Sequence, residues 1–376
     1  MIENENSINQ NYLDYLEYGT VSNIKLYKYI WILIMNFLPE NQWYKLKCQN
    51  KHLCGLVKKS CSKITKIKNL ILNNQIESVI AYEDTFDIDS GLRYACQSGH
   101  VDMVNLMILK GANNWNQGLY GACRGGHIDM VNLMILKGAN HWHRGMTGAI
   151  HGGQLQTAIL MFEKKPIDYW PRFIDNLLMG ACARGKNIEI VNFLISKGAN
   201  KWDYALYGAC RGNQLEMVNL MISKGARNWD WALYGACEGG HVRMIDLVIS
   251  KGAKDWDMGL GGACMSNHIG IVHMMISKGA NDWNRGLERA CIGGKMETAQ
   301  LMIAKGANDW NNGLKSACCS DNIEIVNLMI NKGANDWNGG LYRACNQNRI
   351  AIAKLMISKG ATVCARCGDI NNHIKN

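Results

Sequence analysis

Fifteen cysteines and ten histidines are the side chains of this 376-residue chain best suited to chemistry. Their spacing decides how much of it they do. Cys364-Ala365-Arg366-Cys367, with His373 six residues on, is the beginning of a zinc site. A structural zinc takes four ligands and no fourth stands nearby, so free thiols are expected there and no metal centre. Cys96, Cys123, Cys182, Cys210, Cys237, Cys264, Cys291, Cys318 and Cys345 recur at intervals of mostly 27 residues, with Ile150 filling the one vacant place. Helices of neighbouring repeats pack roughly 8–10 Å apart, and a disulfide cannot form beyond a Cα separation of about 7 Å. These cysteines therefore read as small buried hydrophobes rather than as a redox chain. An odd cysteine count, and an opening Met1-Ile2-Glu3-Asn4-Glu5 without the basic-then-apolar pattern of a secretory leader, point to a reducing, cytoplasmic setting. His100, His127, His241 and His268 share one repeated position that elsewhere holds Gln, Asn, Lys or Arg, and a helix-opening hydrogen bond suffices to explain them. No phosphate-binding G-x-x-x-x-G-K-[ST], zinc-binding H-E-x-x-H or nucleophile-bearing G-x-S-x-G occurs, so neither an enzyme nor a cofactor is expected.

The elements that carry these residues repeat. Trp occurs at 115, 142, 170, 202, 229, 256, 283, 310 and 337, and seven of the eight gaps are 27 or 28 residues. The consensus unit is G-L-x-x-A-C-x-G-G-H-I-x-M-V-N-L-M-I-x-K-G-A-N-D-W-N-x, and ten copies fit between Gly91 and about Arg366. In the copy at 118–144, Leu119, Ala122 and Cys123 form one apolar stripe on a short helix that Gly125-Gly126 ends. A second helix opens with His127 and Asp129 and is apolar on most faces, so it must be sandwiched between neighbours. One such unit buries too little to stand alone. The copies must stack as an all-α solenoid. The Trp rings are expected to be buried, packed between successive turns, rather than to stack on bases or sugars.

The formal charge is +10, and its distribution argues against a nucleic-acid partner. Residues 1–90 carry ten Lys and ten acids. Elsewhere a Lys recurs before a Gly (Lys110, Lys137, Lys197, Lys224, Lys251, Lys278, Lys305, Lys332, Lys359), where a cation in the last helical turn meets the negative end of the helix dipole and the Gly adopts a left-handed conformation. The one true charge block is eight lysines and no acid between Glu40 and Glu77, read as a solvated helix face. Nucleic-acid binding through the lysines of residues 45–68 is the sharper alternative. The strongest apolar run, Tyr29 to Leu38, is half the roughly 20 residues a membrane span needs.

Ala122-Cys123-x-x-Gly-His, Met130-Val131-x-Leu133-Met134 and Lys137-Gly138-Ala139-Asn140 together resemble the ankyrin repeat. Two departures stand out: Gly-Leu replaces Thr-Pro-Leu, and the unit has 27 residues instead of about 33, the loss falling in the connecting hairpin. The resemblance implies an ankyrin-type helical solenoid of about ten 27-residue units with shortened fingers. Such arrays resemble those of giant DNA viruses that infect amoebae. The expected division is a helical N-terminal domain at 1–66, a degenerate capping unit at 67–90, the array at 91–366 with an irregular unit at 145–176, and a tail at 367–376. In that irregular unit, residues 162–176 hold Pro166 and Pro171 and read as a decayed copy or a bend, decay being the simpler account.

Binding information must lie where the units vary. By the resemblance, the residue after Ala-Cys faces the concave groove, and the residue before Gly-Leu or Ala-Leu lies in the shortened finger. Tyr204, Arg211, Trp231, Glu238, Met258 and Met265 come from consecutive units and are the expected site for a protein partner, with Trp and Arg as anchors. The alternative is a solvated, non-binding face. In the N-terminal region, the apolar helix ending at Leu38-Pro39 is followed by Trp43-x-x-Leu46-x-Cys48-x-x-Lys51-x-Leu53-x-x-Leu56-Val57. This order resembles the later part of an F-box, although the usual opening Leu-Pro-x-Glu is missing. The resemblance implies docking on the adaptor subunit of a cullin-type ubiquitin ligase through Leu38, Pro39, Trp43 and Leu46. The expected protein is a monomeric, non-enzymatic interaction scaffold, either recruiting substrates to a ligase or standing alone.

Overall fold

The computed structural model describes residues 68–74, 87–165 and 167–362. Between Ile88 and Ser358, twenty α-helices and one 3₁₀ helix follow one another, with no strand among the described residues. They form ten helix pairs. First helices open at Ile88, Trp115, Trp142, Ile174, Trp202, Trp229, Trp256, Trp283, Trp310 and Trp337. Each first helix packs on the first helices of its neighbours and on its own second helix, which is the stacking of a solenoid.

One pair shows why these residues fold this way. Asn228 caps the helix Trp229–Gly239 by accepting the backbone N–H of Trp231, and Gly240, at φ 81°, ends it. Ala232, Leu233, Ala236 and Cys237 are fully buried on one stripe. After His241 the helix Val242–Ser250 turns Met244, Ile245 and Val248 inward. Lys251 then precedes Gly252, whose φ of 113° suits a residue without a side chain. The chain leaves through a turn whose buried residue is Ala253.

Consecutive turns are held by a ladder. The residue one past each first-helix start (Asp89, Asn116, Asp175, Asp203, Asp230, Asp257, Asn284, Asn311) accepts two backbone N–H groups from the turn that opens the next unit, at 2.7–3.0 Å. Asn338 holds Thr362 in the same way. A second tie corrects the helix-opening role expected of the histidines. His127 caps nothing; its Nε2 meets the Gln97 carbonyl of the preceding unit at 3.2 Å, as His100 meets Leu72 and His268 meets Glu238. Asn187 and Asn322 donate to Gly153 and Gly294 from the same position, and Arg349 to Cys319. A donor of suitable reach serves, so Asn and Arg replace His there, whereas Gln154 and Gln214 turn back onto Gly152 and Gly212 of their own units.

The tryptophans also depart from expectation. Apart from Trp170, the ring of each repeat Trp is half-buried, and the buried residue of the turn is the Ala after Lys-Gly. Because Trp opens its helix, the ring lies against the closing turn of its own unit: Lys137 sits over Trp115 at 5.8 Å and Lys278 over Trp256 at 5.5 Å. Trp170 is no member of the series. Its unit opens at Ile174, 32 residues after Trp142, and Trp170 falls in the inserted 3₁₀ turn Ile167–Arg172. There it is 1% exposed, stacks on Phe162 at 5.3 Å and donates from Nε1 to the Phe162 carbonyl at 3.0 Å. Tyr169 and Phe173 complete the cluster, and His143 tilts against Phe173 at 4.8 Å. The irregular unit thus keeps its helix pair and adds a turn packed by its own aromatic cluster.

First helices approach one another through small residues. A Cβ on Gly235 would stand 2.5 Å from the fixed carbonyl oxygen of Tyr207, whereas one on Gly259 would meet side chains alone, the Met275 sulfur at 2.5 Å and Leu233 at 3.3 Å, in a slot that Ala232 fills one unit earlier. Gly235→Ala is expected to cost about 1–3 kcal/mol. Gly259→Ala is expected to be neutral or stabilising by up to about 1 kcal/mol through helix propensity, and equal urea midpoints for the two would refute this packing. By the same measurement, Trp170→Ala should cost about 3–5 kcal/mol and Trp256→Ala only about 1–2 kcal/mol.

Candidate partner-binding site

The third, sixth and tenth residues of a first helix lie three and four positions apart and so share one face. In the middle of the array these are Tyr204, Tyr207 and Arg211, then Trp231, Tyr234 and Glu238, then Met258, Gly261 and Met265. The structure brings the expected residues together in two groups. Tyr204 stacks on Trp231 with ring centroids 5.4 Å apart, and Tyr207 lies 6.0 Å from Tyr204 and 5.7 Å from Trp231 at interplanar angles of 7° and 23°. Three rings from two units thus make one half-exposed shelf.

Beneath it the charged pair is spent internally. Glu238 is 7% exposed; one carboxylate oxygen accepts the Tyr207 hydroxyl at 2.6 Å and the other pairs with Arg211 Nε at 2.9 Å. Burial, then the hydrogen bond to Glu238 and its charge, raise the Tyr207 hydroxyl well above its ordinary titration range, so it remains a donor. Burial raises Tyr234 likewise; its hydroxyl donates to Met265 Sδ at 3.1 Å, and the Arg289 guanidinium lies 5.8 Å from its ring. Met258 is taken up by a contact from Arg285. Of the six expected residues, Tyr204, Trp231 and the guanidinium of Arg211 face outward, while Glu238 is a buried pillar. An open cleft of about 510 Å³ adjoins the shelf, lined by Asn176, Asn200, Lys201, Trp202, Asp203, Tyr204, Gly225 and Trp231.

Tyr207 and Tyr234 are the functional residues that reading by variable position passed over. Their signal lay in the spacing: each stands three residues after an outward aromatic and four before a variable charge. The cysteine beside each variable residue is inert. Burial pushes the thiols of Cys210, Cys237 and Cys264 up to about 12, which keeps them protonated and un-nucleophilic. No cluster of three metal-binding side chains occurs among the described residues, and none of their helices is long and apolar enough to cross a membrane. Leu38, Pro39, Trp43 and Leu46, the 45–68 lysines other than Lys68, and Cys364, Cys367 and His373 lie outside the described residues.

Paired short helices stacked at a fixed repeat define a helical repeat solenoid. Residues 178–258 match the family model of ankyrin repeats, in three copies. Among solved structures, the ankyrin repeat domain of human ASB11 is similar to 50% of this chain over 99% of its own length, at 18% identity and a TM-score of 0.30. No curated protein matches the chain.

Glu238→Gln keeps the shape of the pillar but turns an amide N–H₂ toward a donor. It should lower stability by about 1–3 kcal/mol and move the Tyr207 titration down toward its ordinary range, seen as an earlier tyrosinate band in the difference spectrum against the native chain. An unchanged tyrosinate titration would show that the carboxylate does not hold Tyr207.

Proposed function

We propose that this chain is a protein-binding scaffold whose partner seats on the first-helix face around Tyr204 and Trp231. Ankyrin repeats indicate a protein–protein interaction scaffold in coarse terms. The observation that supports the particular site is the aromatic shelf: large rings, half-exposed, fixed in place by the Tyr207–Glu238–Arg211 network around the buried Glu238 carboxylate, and opening onto a cleft. Aromatic and Arg side chains held rigidly beside a cavity are what binding hot spots are made of, because little rotamer freedom is lost on association.

The finer reading is that residues 1–66 deliver the bound partner to a cullin-type ubiquitin ligase. It is supported by the F-box-like order of Leu38, Pro39, Trp43 and Leu46. On the resemblance to arrays of amoeba-infecting giant viruses, the partner would be a host protein and the place of action the host cytoplasm. The alternative is a scaffold that binds without a ligase.

Affinity capture from eukaryotic lysate, comparing the native chain with Tyr204→Ala/Trp231→Ala and with Leu38→Ala/Trp43→Ala/Leu46→Ala, separates these readings. The shelf variant should lose the recruited protein while staying folded, its thermal midpoint lowered no more than that of Trp256→Ala. The N-terminal variant should keep that protein and lose the ligase subunits. Retention of every captured protein by the shelf variant would refute the site.

A further inference from the structure

Upstream of the shelf the same three-residue face recurs with its chemistry changed. Tyr120 and Arg124 occupy the slots of Tyr207 and Arg211, and His151 stands one unit on, where Glu238 stands below the shelf. In the shelf, the Tyr hydroxyl and the Arg both end on a carboxylate of the chain. Here no acid is supplied. Tyr120 Oη lies 2.8 Å from His151 Nδ1, and Arg184 of the following unit lies 3.2 Å from His151 Nε2.

A guanidinium only donates, so Nε2 is the acceptor, the ring proton sits on Nδ1, and Nδ1–H donates to Tyr120 Oη. The hydroxyl proton of Tyr120 is then left to point elsewhere, and it has no acceptor among the described residues. The cations are left over too. Arg124 and Lys186 lie close enough to His151 to hold its pKa down, at about 4 together with burial, which comes first, and with Arg184. Lys186 is brought there by the backbone: a Cβ on Gly153 would lie 3.2 Å from its Cβ. No described carboxylate pairs with Arg124, Arg184 or Lys186, and Arg184 and Lys186 are exposed. Arg184 also turns its guanidinium onto the neighbouring unit's ring, so completing its own helix C-terminus does not account for it.

Every uncommitted group in this cluster is a donor or a cation. We infer that Tyr120, Arg124, His151, Arg184 and Lys186 form a binding site for a phosphate group carried on a protein partner. A tetrahedral dianion fits because it offers several acceptor oxygens and close to two charges against three unpaired cations, where a carboxylate offers one. The buried Glu238 shows which way the slot is wired: an oxyanion between a Tyr hydroxyl and an Arg, built in at one place and left for a ligand at the other. The site goes beyond the aromatic shelf, and rests on the protein-binding reading only for the source of the phosphate.

The test follows the His151 imidazole resonances of the full chain by NMR near pH 6.5 while adding inorganic phosphate, a phosphoserine peptide, the same peptide with Glu for phosphoserine, and oligouridylate. Phosphate and the phosphopeptide should each shift His151 saturably and raise its pKa by at least one unit, because an adjacent dianion favours imidazolium. The phosphopeptide should bind at least tenfold more tightly than the Glu peptide, and Arg184→Gln and Arg124→Gln should each weaken it at least fivefold at an unchanged thermal midpoint. Tyr204→Ala/Trp231→Ala should bind it as the native chain does, so loss of the shelf and loss of this site are read separately. An unmoved His151 resonance would overturn the inference, as would Arg variants that bind within twofold of native or a Glu peptide that binds equally well. Tighter binding of oligouridylate than of the phosphopeptide would overturn it in favour of a nucleic acid.

Discussion

Two backbone N–H groups at the start of each unit have no partner within their own helix, and a side-chain oxygen from the unit before accepts both. That bond pair is the joint of the array. It is local in structure although 24 and 25 residues separate its ends in the 27-residue units, and 25 and 26 in the 28-residue unit that opens at Ile174, so unit length is held within about one residue wherever the rung forms. Asp and Asn both serve because only a carbonyl-like oxygen is needed, and Asp adds a negative charge to the first turn of a helix, where the dipole favours it. His143 holds this place in one unit, and an imidazole is no substitute for two converging acceptor bonds. At that point the chain lengthens by five residues and an aromatic cluster of Phe162, Trp170 and Phe173 replaces the ladder rung. The insertion and the missing rung are one event.

The second constraint is how near the first helices come. With Gly at the seventh position, as at Gly121, Gly208 and Gly235, a helix rests on the carbonyl row of its neighbour, and side chains 31 residues apart touch; Gly180, which follows the inserted turn, makes no such approach. Toward the C-terminus that position holds Arg289, Ser316 and Arg343, and the first helices stand farther apart. Contacts such as Tyr207 to Glu238 depend on the closer spacing. The aromatic shelf lies within this closely packed part of the array, which lets a buried carboxylate be satisfied from two sides.

Much of this was legible in the sequence because it repeats. A 27-residue period, Gly after Lys and an apolar stripe in each helix are consequences of backbone geometry, and geometry leaves the same mark in every copy. The Trp ladder misled because periodicity reports that a residue matters and not how deep it lies; Trp170 happened to fall near the right spacing while serving another purpose. The histidines misled for a related reason, since a donor that bridges two units and a residue that caps one helix occupy the same position in the chain. Tyr207 and Tyr234 were passed over although their position varies too, holding Thr147, Met179, Gly261, Glu288 and Lys315 in other units, because their role depends on partners a full unit away.

What distinguishes one part of this face from another is therefore the identity of a single residue per unit set against an unchanging frame. Glu238 in its slot consumes a Tyr proton and an Arg charge and yields a stiff, largely neutral shelf with its rings outward. His151 in the equivalent slot cannot consume them: held neutral, it has one lone pair, and Arg184 uses it. The same frame then presents donors and positive charge instead of aromatic surface. A partner that spans both units must match both, with an acceptor-rich group toward the N-terminal side and an apolar or aromatic contact two to three units on. The order of those groups along the partner is set by the direction in which the array is stacked, so the frame fixes polarity as well as composition.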